Sequence, residues 1–137
     1  MSEGPLKASC LCGAIKFQIT PPLLAFRYCS CGRCRKATGA AHAANMVVPQ
    51  SQLEWLAGES LTKRFDLPGA KRYAVCFCPR CGTRMPHKIS GTDNYLVPAG
   101  VLDESPDARP DQVIFWGSRA AWFVETAQLP KHQEYGT

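Results

Sequence analysis

Eight cysteines gathered into three tight clusters constrain this chain more than any other feature: Cys10-x-Cys12, Cys29-x-Cys31-x-x-Cys34 and Cys76-x-Cys78-x-x-Cys81. Two thiolates one or two residues apart can grip one tetrahedral ion, because a short turn brings both sulfurs to about 2.3 Å from a common centre. Neighbours this close are poor disulfide partners, since a bridge needs Cα atoms about 5.5 Å apart and a specific torsion. The clusters therefore read as zinc knuckles.

A closed structural zinc takes four protein ligands, whereas a working zinc takes three and keeps one position open. Cys10 and Cys12 need a second pair, and Cys78-x-x-Cys81 is their natural partner. That pairing would tie an early strand to one far along the chain. Cys29, Cys31 and Cys34 then form a tripod whose fourth position is left to water or a substrate. Cys76 is the spare sulfur. Either it closes a four-plus-four arrangement of two structural sites, or it is a small buried hydrophobe, as free cysteine often is.

With 137 residues the chain is read as one domain, 1–137, with tails at 1–6 and 130–137. It is long enough to bury a core, so metal need not be its sole source of stability. Met1–Pro5 holds no basic stretch followed by an apolar run, so no secretory signal is expected. No segment approaches the roughly 20 apolar residues of a membrane span. A reducing cytoplasm is the expected compartment, where cysteine clusters serve metals or catalysis.

The formal charge of +5 overstates how basic such a chain would be. Seven thiolates and two zinc ions would together remove three positive charges, leaving about +2. Arg33, Arg35 and Lys36 flank the middle cluster; Lys63, Arg64, Lys71 and Arg72 are scattered. With no ordered basic stripe interleaved with aromatics, nucleic acid ranks last among partners.

Period-two alternation over Ala14–Thr20 predicts a strand that Pro21-Pro22 ends. Cys34–Thr38 predicts a short helix stopped by Gly39. Further extended elements are expected at Ala43–Val48, Leu53–Leu56, Leu61–Leu67, Arg72–Phe77, Tyr95–Pro98 and Val113–Trp116, with a turn at Pro68-Gly69 and a loop over Asp103–Asp111. Short strands separated by turn signals indicate a mainly β domain. Trp55, Trp116 and Trp122 are expected in the core, with Phe115-Trp116 as an alternative pocket wall. His42, eight residues past the middle cluster, is a candidate fourth ligand or general base, set against the ordinary role of a hydrogen-bonded histidine. His87 is a weaker candidate, and His132 falls in the tail.

Three segments resemble the glutathione-dependent formaldehyde-activating enzyme (GFA-like) family: Ser9–Ile15, Cys29–Gly39 and Phe77–Thr83. Pro98–Asp103, Trp122 and Leu129-Pro130 extend the resemblance over nearly the whole chain. It implies stacked antiparallel sheets of the Mss4-like or β-tent type. It also implies a structural zinc on Cys10, Cys12, Cys78 and Cys81 and a catalytic zinc on Cys29, Cys31 and Cys34, with Cys76 outside the pattern. The implied activity is that of a carbon–sulfur lyase, joining glutathione and formaldehyde as S-(hydroxymethyl)glutathione. The implied partners are thus a small thiol and an aldehyde, with neither nucleic acid nor membrane. A non-catalytic zinc module that carries a thiol or binds a protein is the alternative, because fold alone does not decide function.

Overall fold

Alternating apolar and polar residues, punctuated by turns, give eleven short strands and one helix over residues 3–136, the part of the chain the computed structural model describes. Met1, Ser2 and Thr137, assigned to the tails, lie outside the described residues. The strands are β1 Leu6–Ser9, β2 Lys16–Ile19, β3 Ala25–Cys29, β4 Ala43–Pro49, β5 Leu53–Ala57 and β6 Lys63–Asp66, followed by β7 Ala74–Phe77, β8 Arg84–Met85, β9 His87–Lys88, β10 Asn94–Pro98 and β11 Val113–Ile114. The helix, α1, spans Gly32–Thr38. Three sheets result, ordered β1-β2-β5, β11-β3-β4-β10-β9 and β6-β7-β8. Neighbouring strands run antiparallel except β11, which lies parallel to β3.

The core follows the period of two that strands impose. Leu6 and Ala8 point inward from β1, Phe17 and Ile19 from β2, and Ala74 and Cys76 from β7. All of these but Ala74 meet Ile15, Met46, Val48, Met85 and Val97 in one apolar cluster. Central strand β4 is flanked on both sides, which is why Ala43 and Asn45–Val48 are all buried. Between the last strands, Leu102 bridges back to Ala8. There Asp103 accepts the Ser9 hydroxyl at 2.7 Å and donates its N–H to the Lys7 carbonyl at 2.8 Å. Asp103, at the start of the segment read as a loop, thus clasps β1.

Several boundaries move for local reasons. Leu6, assigned to the amino-terminal tail, is buried and opens β1. β2 begins at Lys16 rather than Ala14, because residues 10–15 close a turn in which the Cys10 N–H donates to the Ile15 carbonyl. Leu61 ends a 3-10 turn before β6, and β7 starts at Ala74 rather than Arg72. The segment expected at Val113–Trp116 stops at Ile114, where Phe115 turns to φ 54 and a 3-10 turn follows. Trp55 packs on the core, but Trp116 and Trp122 do not enter it: they are 40% and 65% exposed. Trp116 instead meets Phe123 edge-on, 5.6 Å between ring centroids, and carries the Arg119 guanidinium 4.4 Å above its ring. This surface cluster follows the last strand, so no sheet lies over it.

Phe17 is fully buried and packs against Trp55, centroids 5.6 Å apart. Phe17→Ala is expected to destabilise the fold by about 3–5 kcal/mol, as aromatic core truncations do. Phe65→Ala, at a half-exposed position, should cost well under half of that. Denaturant unfolding of the two variants checks the difference.

Candidate metal centres and a cationic cavity

Two turns of matching construction bring the first four sulfurs together. In one, the Cys10 N–H donates to the Ile15 carbonyl at 3.0 Å and the Gly13 N–H to the Cys10 carbonyl at 2.9 Å. In the other, the Cys78 N–H donates to the Thr83 carbonyl at 2.9 Å and the Gly82 N–H to the Cys78 carbonyl at 2.7 Å. Gly13 and Gly82 each sit directly after a cysteine at φ 81 and 78, a left-handed conformation glycine adopts without Cβ strain. Thr83 joins the turns: its hydroxyl accepts the Leu11 N–H at 3.0 Å and lies 3.2 Å from Cys81 Sγ.

The sulfurs of Cys10, Cys12, Cys78 and Cys81 all lie within 4.8 Å of one another. Cys10 Sγ is 3.6 Å from Cys12 Sγ, and Cys12 Sγ is 3.9 Å from Cys78 Sγ. These separations are far beyond a disulfide bond and match the edge of about 3.8 Å in a tetrahedron with metal–sulfur bonds of about 2.3 Å. The protonation pattern of the thiols also calls for a cation. The Thr83 hydroxyl and N–H draw Cys81 down to about 5. At Cys12 the Ala14 N–H favours the thiolate, but burial and the neighbouring sulfurs push it up to about 11. Four adjacent thiolates repel one another, and positive charge held between them would relieve that repulsion.

The second group sits where β3 runs into α1. Cys29 ends β3 opposite Ala43 of β4 and Ile114 of β11. Cys31 is the residue that caps α1, its sulfur accepting the Cys34 N–H at 3.3 Å. Cys34 follows in the first turn, and Gly39 closes the helix by donating to the Arg35 carbonyl at 2.8 Å. All three sulfurs lie within 4.8 Å of one another. Burial, then the sulfurs of Cys29 and Cys31, push Cys34 up to about 12. Burial opposes ionisation of Cys31 too, but the Cys34 N–H and the neighbouring sulfurs outweigh it and bring it down.

His42 does not join this group. It stacks on Tyr28, 4.2 Å between centroids, with Nδ1 3.2 Å from the Ala43 carbonyl oxygen. Cys76 joins neither group; it is buried in the apolar core opposite Met85. Tyr73 is a neighbour that the sequence did not reveal, for it lies 39 residues from the cysteine it touches. Its hydroxyl donates to Cys34 Sγ at 3.8 Å, and burial, then the charge of Cys34, holds that proton on firmly.

Cys29, Cys31 and Cys34 open into a cavity of about 900 Å³. Arg27, Arg33, Lys71, Arg72 and Arg84 line it, and no aspartate or glutamate does. Lys71 and Arg72, unremarkable as scattered charges in the sequence, are brought there by the turn before β7. Arg33 lies 6.0 Å from the centre of the Tyr73 ring. Phe115, the one non-glycine residue at positive φ among the described residues, also lines the cavity. A bulky residue held there stores backbone strain of about 1–3 kcal/mol.

A mainly antiparallel β chain carrying one four-sulfur and one three-sulfur group is a cysteine-rich metal-binding domain. Residues 5–118 match the model of the family described as glutathione-dependent formaldehyde-activating enzyme, GFA; the chain belongs to that family. It is also similar to a Rhodobacter sphaeroides protein solved crystallographically as a structural-genomics target. The TM-score is 0.60 at 21% identity, over 78% of this chain and 98% of that one. Likeness at that identity reflects a shared fold. No curated protein matches the chain. Among the described residues, no helix is long and apolar enough to cross a membrane.

Two outcomes are expected here. Cys81→Ser should remove one metal ion per chain and lower the melting temperature sharply, since structural zinc contributes on the order of 10 kcal/mol to folding. Cys76→Ser should leave metal content unchanged; elemental analysis and thermal melts read both. His87 supplies a pH dependence. Burial first, then Arg64 and Arg84, lowers it from 6.5 to about 4. As pH falls, the unfolded chain takes up this proton before the folded one does. The stability contributed is complete above the unfolded value of 6.5 and is lost as pH falls toward the folded value of about 4. The loss amounts to about 3 kcal/mol, and His87→Gln should remove it from the pH profile of unfolding.

Proposed function

We propose that this chain is a zinc-dependent carbon–sulfur lyase acting on the adduct of a small anionic thiol and an aldehyde, such as S-(hydroxymethyl)glutathione. Cys10, Cys12, Cys78 and Cys81 would hold a structural zinc, and Cys29, Cys31 and Cys34 a catalytic one. One observation carries the reading: a three-sulfur group with no fourth protein ligand opens into a cavity walled by cations and free of acids. The family match supports the same chemistry. A reducing cytoplasm suits a chain that keeps all its cysteines free.

A zinc ion on three thiolates with an open position would supply a seat for the substrate sulfur as thiolate, more readily than it would generate hydroxide. The chain's own residues do the rest. Arg33 and the neighbouring cations offset the negative charge that the three cysteines concentrate. The same cations draw in glutathione, whose two carboxylates outweigh its single ammonium, by long-range attraction. Tyr73 keeps its proton on Oη and directs it at Cys34 Sγ, fixing that sulfur in place. In the addition direction, the thiol sulfur bonds to the carbonyl carbon, the carbonyl π pair moves to oxygen, and the thiol proton ends on that oxygen. The lyase direction is the reverse.

Cys31→Ser is expected to keep the fold and one zinc per chain while losing the second zinc. It should also lose all acceleration of adduct formation, followed by exchange NMR of glutathione with formaldehyde. Full acceleration in Cys31→Ser would refute the catalytic assignment. Unfolding of that variant would make the tripod structural and favour a non-catalytic zinc module.

A further inference from the structure

Most cations of the cavity reach solvent, but one pair is withdrawn. Arg84 ends its β7–β8 pairing opposite Phe77, while the next residue, Met85, is fully buried in the core. Pro86 then passes the chain from the β6-β7-β8 sheet to the five-stranded sheet, where His87 pairs with Leu96. Both Arg84 and His87 therefore line the cavity at the junction of two sheets. His87 is 5% exposed.

Their donors have nothing to bond. Arg84 Nε and Nη1 and His87 Nδ1 are shut off from solvent and have no hydrogen-bond partner. Buried polar atoms are almost always satisfied, so three such atoms on neighbouring side chains require an explanation. The nearby carboxylate is already committed: both Asp66 oxygens lie 3.1 Å from Arg64 Nε. A guanidinium N–H makes a charge-assisted bond to an oxyanion, and a neutral histidine beside it can add a second donor.

We propose that Arg84 and His87 form an anion subsite in the cavity wall that binds a carboxylate of the thiol substrate. One of the unpaired Arg84 N–H groups would donate to one carboxylate oxygen and His87 Nδ1 to the other. The subsite deepens the thiol-adduct reading and rests on it for the identity of the ligand. A substrate gripped by this carboxylate at one end would present its sulfur to the three cysteines at the other. A small thiol without a carboxylate would lack that hold.

The test uses the zinc-loaded protein and S-methylglutathione, which has the carboxylates of glutathione but no free thiol. The His87 ring resonances are followed by long-range proton–nitrogen NMR. Saturable shifts are expected with S-methylglutathione and not with its diester. In Arg84→Gln the affinity should fall about tenfold or more, the usual scale for loss of a charge-assisted bond. Arg84→Lys, which keeps the charge but not the planar guanidinium, should fall between. Equal shifts with the diester, no saturable shift, or equally tight binding of acetate would each overturn the proposal. The acid-versus-diester comparison in the unmodified protein needs no variant to fold. A separate titration of glutathione into the cobalt-substituted protein reads the cysteine end. A persistent His87 response without a cobalt spectral change would keep the subsite and remove the thiol reading; the opposite result would do the reverse.

Discussion

Everything in this structure depends on four sulfurs that must share one point in space. Cys10 and Cys12 arrive from the turn between β1 and β2, Cys78 and Cys81 from the turn between β7 and β8. Neither turn can neutralise its own thiolates, and neither has a long hydrogen-bonded ladder to hold it. Bringing them together closes a loop of some seventy residues, and a cation held there would offset both the loop entropy and the sulfur–sulfur repulsion. The apolar cluster of Ile15, Phe17, Met85 and Cys76 then forms beside the closed loop. Metal and core are thus one construction, since the residues that flank the sulfurs also fill the interior.

The second sulfur group follows a different logic. Its three cysteines lie within six residues, so no long loop has to close to assemble them. The end of a strand supplies one sulfur, the N-cap of a seven-residue helix a second and its first turn the third. What the fold adds is the wall opposite. The segment before β7 brings Lys71, Arg72 and Tyr73, and β8 and β9 bring Arg84 and His87. A concentration of negative charge on sulfur is met by positive charge from remote parts of the chain. The result is a cavity with sulfurs on one wall and cations on the others.

Much of this was legible in the residues themselves. Cysteine spacing carries ligand geometry directly, because two sulfurs one or two residues apart can hardly avoid a common ion. That spacing favoured a division into four and three while leaving four plus four open through Cys76, and the sulfurs gather as four and three. The alternation over Ala14–Thr20, the extended run Ala43–Val48 closed by Pro49, and the stop at Gly39 were readable for the same reason: each is a property of adjacent residues.

Tertiary structure decided whatever depended on which distant residues meet. Alternation alone could not show that Trp116 and Trp122 lie outside the core, since hydrophobicity says nothing about whether a second sheet covers them. His42, close to the tripod in sequence, turned onto Tyr28 because the strand that follows it sets its direction. Tyr73 and Arg84 carried no local signal and His87 only the weak one of its residue type, yet all three line the cavity. Metal-binding capacity is written in short-range spacing and so belongs to the sequence. The shape and charge of the cavity depend on long-range packing of β4, β7, β8 and β9, and only the folded chain determines them.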